Sequence, residues 1–409
     1  MRILFLSHYF HPEGNAPGTR VYELTRRWAA RGHQVVVITG VPNVPDGVAY
    51  EGYENRLYQQ EQVDGVDVRR VWTYLAANRG TSRRILNYLS FMLAASVAAC
   101  FVKRPDVVIA TSPQFFCGWA GVFASRLRRR PFVLEIRDLW PESIVSVGAM
   151  RNPRIIRLLE WLEKAMYATA DRIVTVGPGY RDGLVERGVD EARISIIPNG
   201  VDRVFFSPRE DDGRLREEWD LGDRFVCAYV GTIGLGSGLH VALRAARLLA
   251  ERGRDDVRLL LVGDGAIRAE LQAEAEAEGL RSVVFTGRLP KLRMPDVLAA
   301  ADACLVHLSR TELFKTVLPS KIFEAAAMRR PIVLGVDGFA AELVGDAEAG
   351  LCIEPESEAE LVQALTELAG DPALRDRLAA NAFERIAGRY DYDALATGYL
   401  ELLEGQGVS

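Results

Sequence analysis

Short runs of β-branched and other apolar residues alternate along the chain with longer segments whose apolar positions recur every three or four residues. The short runs predict strands at 2–7, 34–39, 67–71, 107–111, 132–136, 172–176 and 194–197, and then at 225–230, 258–262, 283–286, 303–306, 332–334 and 351–353. Near-continuous apolar strands separated by amphipathic helices indicate parallel sheets covered on both faces. Two such series imply an α/β chain of two doubly wound, Rossmann-like domains facing across a cleft. Ligands of such sheets bind beyond the carboxyl ends of the strands, which here carry the loops 8–20, 137–143, 231–238, 263–265 and 287–290. Pro198-Asn199-Gly200-Val201-Asp202 contains a strong turn signal and precedes an acidic, unpatterned stretch. The domains are therefore placed at 1–203 and 204–389, with a last helix in 390–409 expected to pack back on the first.

One segment departs from this pattern. Residues 85–102 carry no charge and are flanked by Arg83-Arg84 and Lys103-Arg104. The length is at the lower bound for a membrane span. Asn87, Ser90 and Ser96 interrupt the segment, and Pro105-Asp106 then leads straight into a strand, so a buried or interfacial helix fits better.

Composition and charge narrow the function. The chain has 409 residues, half of them apolar or aromatic, enough for two cores. Its net charge of −5 argues against a nucleic-acid protein. Residues 1–203 are nevertheless net +7 and the remainder net −12. The basic half is expected to face something anionic, such as a phospholipid surface or a phosphorylated lipid. Cys100, Cys117, Cys227, Cys304 and Cys352 show no paired spacing and read as buried free thiols in a reducing compartment. The opening apolar run is too short for a signal peptide, so a cytoplasmic protein is expected.

Three segments could carry chemistry. Pro319-Ser320-Lys321-Ile322-Phe323-Glu324 reads as a helix start, with Pro319 in the first turn and alanines behind it. Ser320, Lys321 and Glu324 can share one helix face. Donors and a carboxylate one turn apart would hold a diphosphate and a ribose diol; a capped helix with a surface Lys–Glu pair is the plainer alternative. The loop 8–20 is rich in small residues that admit a ligand to the backbone, and Arg20 offers a phosphate-binding fork, although a Pro/Gly-rich connection has the same composition. Arg137-Asp138-Leu139-Trp140-Pro141-Glu142-Ser143 combines an Arg, two carboxylates and a Trp, as sugar sites do. The five histidines have no carboxylate partners at ligand spacing, and Asp391-Tyr392-Asp393 reads as a helix start, so no metal site is expected.

In this order and spacing, further short motifs resemble the retaining glycosyltransferases of family 4, which have the GT-B architecture. They are Gly32-His33-Gln34-Val35, the Pro-Asn-Gly segment, Val262-Gly263-Asp264-Gly265, Phe285-Thr286-Gly287 and Glu324-Ala325 with Pro331. The Arg137–Ser143 and Pro319–Lys321 segments look like the branch that builds bacterial O-antigen, capsule and exopolysaccharide, including N-acetyl-L-fucosamine transferases. The resemblance implies transfer of a hexose or an N-acetylated or 6-deoxy hexosamine from a nucleoside diphosphate sugar, expected to be UDP-linked. The acceptor would be a polyprenyl diphosphate-linked saccharide at the cytoplasmic face of the inner membrane. Neither cofactor nor metal is implied. Glu324 would accept from the ribose hydroxyls, and the amides near Ser320 and Lys321 would meet the diphosphate. Thr232 would lie at the nucleotide and Arg288 beside the base. Gly14 would admit the first-domain loop to the diphosphate. Asp138, with Arg137 beside it, would contact the transferred sugar or the acceptor hydroxyl.

Three departures from the family pattern stand out. Thr316 occupies the place of a second Glu, the loop 231–238 lacks Arg and Lys, and Arg137 stands where many members have His. Lys321 and Arg20 are expected to supply the missing charge. A nucleotide-sugar 2-epimerase of the same fold is an alternative reading, with His307 as its candidate histidine. A catalytically inactive sugar-nucleotide-binding partner is another.

Overall fold

The computed structural model describes residues 1–44, 46–76, 81–139 and 152–405, which form two compact units, Met1–Asn199 with Tyr392–Ser409 and Gly200–Asp391. In the first unit the strands are β1 (Arg2–Leu6), β2 (Gln34–Thr39), β3 (Tyr58–Val63), β4 (Val66–Val71), β5 (Val107–Thr111), β6 (Phe132–Ile136), β7 (Arg172–Thr175) and β8 (Ile194–Ile196). Its helices are α1 (Ala16–Ala30), α2 (Thr81–Ala99), α3 (Phe115–Arg128), α4 (Pro153–Thr169) and α5 (Pro178–Glu186), joined by a C-terminal helix at Tyr392–Glu404. The sheet order is β3-β4-β2-β1-β5-β6-β7-β8, parallel except for β3. Thirteen expected strands are present, with ends shifted by a residue at most sites. The missed one, β3, reads Tyr-Gln-Gln-Glu-Gln-Val. As an antiparallel edge strand with one half-buried face it needs no apolar run.

Alternation along the strands sorts side chains to two layers. Leu4, Leu6, Val108, Ala110, Leu134 and Ile136 meet α2, α3 and α4. Ile3, Phe5, Val107, Ile109 and Val133 meet α1 and the C-terminal helix. That helix is tied down by Trp28, whose Nε1 donates to the Ala396 carbonyl at 3.0 Å, and by Arg27, whose Nε lies 2.8 Å from the Asp393 carboxylate. The segment 85–102 lies largely in α2, with Phe91, Ala95 and Ala98 turned into the core. Among the described residues no helix is long and apolar enough to cross a membrane. Cys117, Cys227 and Cys304 are buried as expected, whereas Cys100 and Cys352 are exposed, a correction that follows from their places at the ends of α2 and of the last strand of the second unit.

The second unit contains β9 (Phe225–Val230), β10 (Val257–Val262), β11 (Val283–Gly287), β12 (Ala303–His307), β13 (Ile332–Gly335) and β14 (Gly350–Cys352). Its helices are α6 (Arg214–Glu218), α7 (His240–Glu251), α8 (Arg268–Ala277), α9 (Met294–Ala300), α10 (Lys321–Ala327), α11 (Phe339–Asp346), α12 (Glu358–Gly370) and α13 (Pro372–Asn381). The order β11-β10-β9-β12-β13-β14 reverses between β9 and β12, the place where doubly wound sheets open a crevice for a ligand.

Two buried histidines make stability depend on pH. His8, at the end of β1, packs edge-on against Tyr9, Tyr88 and Phe91, and burial lowers its pKa to about 3. Burial lowers that of His307 as well. Below the unfolded value of 6.5 the unfolded chain takes up protons that the folded chain refuses. Stability is therefore complete above 6.5 and falls with pH, for His8 down to about 3. At pH 5 the His8 contribution to the loss is about 2 kcal/mol. Melting curves from pH 7.5 to 5 should be flatter in His8→Phe; an unchanged slope would refute this role for His8.

Candidate functional site

The reversal point of the second sheet is built from glycines. Gly231 follows β9 with φ of +146°, and a Cβ there would stand 2.4 Å from Cε of Lys321. Gly263 follows β10 with φ of +140°, and its Cβ would fall 1.8 Å from the Gly231 carbonyl oxygen. A side chain at Gly263 would force the two backbones apart, whereas one at Gly231 would displace the Lys321 side chain. The gap over Gly231 is filled by Lys321, the first residue of α10, whose Nζ also lies 4.6 Å from the centre of the Tyr229 ring. The loop 231–238 has no cation of its own, and Lys321 brings one to its first residue.

Ser320 caps α10 with helical dihedrals and no side-chain hydrogen bond, so Pro319 lies before the helix and not in its first turn as expected. The Ile322 and Phe323 amides close onto the Pro319 and Ser320 carbonyls at 3.1 and 3.0 Å, which leaves the Ser320 and Lys321 N–H groups as the helix-end donors. Glu324 is half-buried one turn on. Burial raises its pKa, while Lys291 and Lys321 pull it down. Thr232 is exposed beside Gly231, and its carbonyl accepts the Tyr229 hydroxyl at 2.7 Å. Arg288 is exposed just past β11. Its charge adds to the Gly265 amide and Arg268 in holding the Asp264 carboxyl below the usual range. Thr316 ends a short turn at Glu312–Thr316, where its hydroxyl donates to the Leu313 carbonyl at 2.8 Å.

His307 is a clamp. Its Nδ1 donates to the Ser237 carbonyl at 2.8 Å and its Nε2 accepts the Glu356 amide at 2.9 Å, so both ring nitrogens are engaged. The ring lies between Gly238 and Gly335, where a Cβ would approach it within 2.8 and 2.2 Å. Neither nitrogen is free for the acid–base chemistry an epimerase would ask of it.

In the first unit Arg137 and Asp138 follow β6. The Arg137 amide donates to Ser112 Oγ at 2.7 Å and its guanidinium reaches Asn199 Oδ1 at 3.3 Å. Its Nε and NH1 are buried and meet no acceptor among the described residues, and burial lowers its pKa to about 10. Asp138 lines a small recess with Ser112, Gln114, Met166 and Tyr167, with room for about one water molecule. Burial, then the Asp138 charge, pushes the Tyr180 hydroxyl up to about 12. Trp140, Pro141, Glu142 and Ser143 lie outside the described residues.

One expectation for this unit changes. Arg20 is fully buried: Nε meets Glu135 at 3.1 Å, and the remaining donors hold the Ile197 and Pro198 carbonyls. It therefore ties β6 to the chain after β8 and is not placed to meet a phosphate. Gly14 is exposed with open space where a Cβ would stand, so sterics in the fold do not require glycine there. Glu13 beside it carries no motif that marks its role in the sequence. It is buried and accepts the Asn43 and Val44 amides at 2.9 and 3.1 Å, which pins the loop after β1.

Sequence comparison agrees with this architecture. Residues 15–200 match the Glycosyl transferase 4-like domain and residues 211–385 match Glycosyl transferases group 1. The chain belongs to the GT-B glycosyltransferases. The family 4 resemblance carried by the motifs is thereby borne out. The glycosyltransferase is similar to WcaI of Escherichia coli (strain K12), a protein named for colanic acid biosynthesis, with 27% identity over 90% of this chain and 92% of that one. It is also similar to the GDP-mannose-dependent alpha-mannosyltransferase of Mycobacterium tuberculosis, with 26% identity over 95% and 93%. The crystal structure of Anabaena HepE in complex with UDP superposes with a TM-score of 0.71, covering 99% of this chain and 100% of that one. At 18% identity that likeness speaks for the fold alone.

Proposed function

We propose that this glycosyltransferase is a retaining, metal-independent hexosyltransferase that uses a UDP-sugar, the sugar being a hexose or an N-acetylated or 6-deoxy hexosamine. The acceptor in this reading is a polyprenyl diphosphate-linked saccharide of a bacterial surface polysaccharide. The protein would work at the cytoplasmic face of the inner membrane, held there by its basic N-terminal domain.

One observation carries the reading: Lys321 reaches back over Gly231 at the reversal point of the second sheet, with Glu324 one helical turn behind it. Cleavage of a sugar–phosphate bond develops negative charge on the leaving diphosphate. Lys321 and the amides at Ser320 and Lys321 are fixed donors for that charge. Glu324, once ionised, accepts from the ribose hydroxyls, while Thr232 and Arg288 flank the nucleotide. Arg137 and Asp138 act on the acceptor hydroxyl or the transferred sugar, and Gly14 on the diphosphate side of the loop after β1. Retention follows if the leaving phosphate takes the acceptor proton on the face it departs from. The polysaccharide assignment is supported by WcaI, and UDP by HepE; the mycobacterial relative makes GDP the donor to test against it.

Titration calorimetry of UDP and GDP is the direct test. Ribose binding needs the Glu324 carboxylate, whose pKa burial raises above the ordinary carboxylate value, so affinity should fall as the solution is acidified. Glu324→Gln should bind UDP about 10- to 100-fold more weakly and lose the pH dependence that the parent shows beyond that of UDP itself. Equal affinity in parent and variant would remove Glu324 from the site. Transfer assays with lipid-linked acceptors, read by mass and by the anomeric configuration of the product with and without chelator, test the remaining assignments.

A further inference from the structure

The two outer layers of the first unit differ in kind. Neither α1 nor the C-terminal helix exposes a large apolar side chain among the described residues. The opposite layer, α2–α3–α4, does so along its length. Leu86, Leu93 and Val97 form one stripe of α2, continued by Phe101 just past its end, with 63% of Leu93 and 76% of Phe101 exposed. On α3, Phe123 and Leu127 are exposed one turn apart. On α4, Leu158 and Trp161 are exposed, the latter by 64%.

Charge frames the α2 and α3 part of this surface with one sign, while α4 exposes Arg154, Arg157 and Lys164 against a single acid, Glu160. Arg83, Arg84, Lys103, Arg104, Arg126 and Arg129 are all exposed at the ends of α2 and α3. From Thr81 to Arg130 the only acid is Asp106, and it accepts the Arg2 amide at 2.7 Å. We infer that the α2–α3–α4 layer is a docking surface for an anionic phospholipid bilayer: Leu93, Val97 and Phe101 enter the acyl boundary while the six cations meet headgroup phosphates. Apolar side chains beside Lys and Arg, on helices lying flat against a sheet, match the chemistry of an interfacial rather than a spanning segment. A second copy of the chain is a poor occupant, because two such faces would set like charges against each other. The inference deepens the peripheral placement proposed above by giving it a face and a lipid charge.

The test uses the full chain and protein-free vesicles, so it is independent of donor binding and transfer. Sedimentation with phosphatidylglycerol/phosphatidylcholine vesicles should retain the protein, and pure phosphatidylcholine should retain about tenfold less. Leu93→Glu with Phe101→Glu, and separately Arg83→Glu with Arg104→Glu, should each lower retention at least about tenfold, with UDP affinity unchanged as the check on folding. Brominated acyl chains should quench the parent's tryptophan fluorescence, and Trp161→Phe should lose part of that quenching. Retention equal to the parent's in both double variants would overturn the inference. So would a dimer in solution that the Leu93 and Phe101 substitutions dissociate.

Discussion

Lys321→Ala is expected to lower turnover on the donor by about 10²–10³, the cost of removing one fixed donor from a developing anion. Folding should survive, because the lysine lies over the space left by Gly231 and against the Tyr229 ring, and among the described residues it forms no ion pair. Steady-state kinetics with a melting curve on the same sample separate the two effects. Gly231→Ala gives an independent view of the same contact. A Cβ there meets Cε at 2.4 Å and the residue holds φ of +146°, so the ammonium must move. Adding Gly231→Ala to Lys321→Ala should therefore cost less than it does in the parent. Full additivity would mean that the two residues act separately. Unchanged donor affinity and turnover in Lys321→Ala would end the claim that this lysine supplies the charge missing from the loop 231–238.

The second large effect concerns stability. Arg20 and Glu135 are both at 0% side-chain exposure, and Thr111 Oγ1 adds a 2.8 Å bond to the carboxylate. Removing one member leaves a buried charge without its partner, which typically costs about 3–5 kcal/mol. Denaturant unfolding of Arg20→Met and of Glu135→Gln should each show a loss of that order. The double variant should recover much of it, since replacing both charges abolishes the unpaired one. If Arg20 instead served a phosphate, Arg20→Met would weaken donor binding while leaving the unfolding midpoint in place.

Hydrophobic patterning was sufficient to place the parallel strands, because a strand buried on both faces must be apolar along its whole length. It could not reveal β3, which needs only cross-strand partners at a half-exposed edge. The helix carrying Lys321 and Glu324 was legible from spacing, but the reach of Lys321 to Gly231 was not. That contact joins residues ninety positions apart and depends on a glycine whose value is the absence of a side chain. Arg20 is ambiguous in sequence for a related reason. A guanidinium after a small-residue loop looks the same in sequence whether it faces a phosphate or a buried Glu135. The clamp formed by His307 was equally hidden, since its partners are a backbone carbonyl and a backbone amide.

The return of the C-terminal helix to the first unit sets an order on biosynthesis. Trp28 makes its edge-on contact with Tyr399 at 5.2 Å, so one wall of the first core is supplied by the last part of the described chain to be translated. The ribosome must complete residues 200–391 before that wall exists, a delay of tens of seconds at about 5–20 residues per second. Through that interval the nascent first unit displays the apolar flank of α1, and chaperones that hold exposed greasy surfaces have a defined client segment during that time.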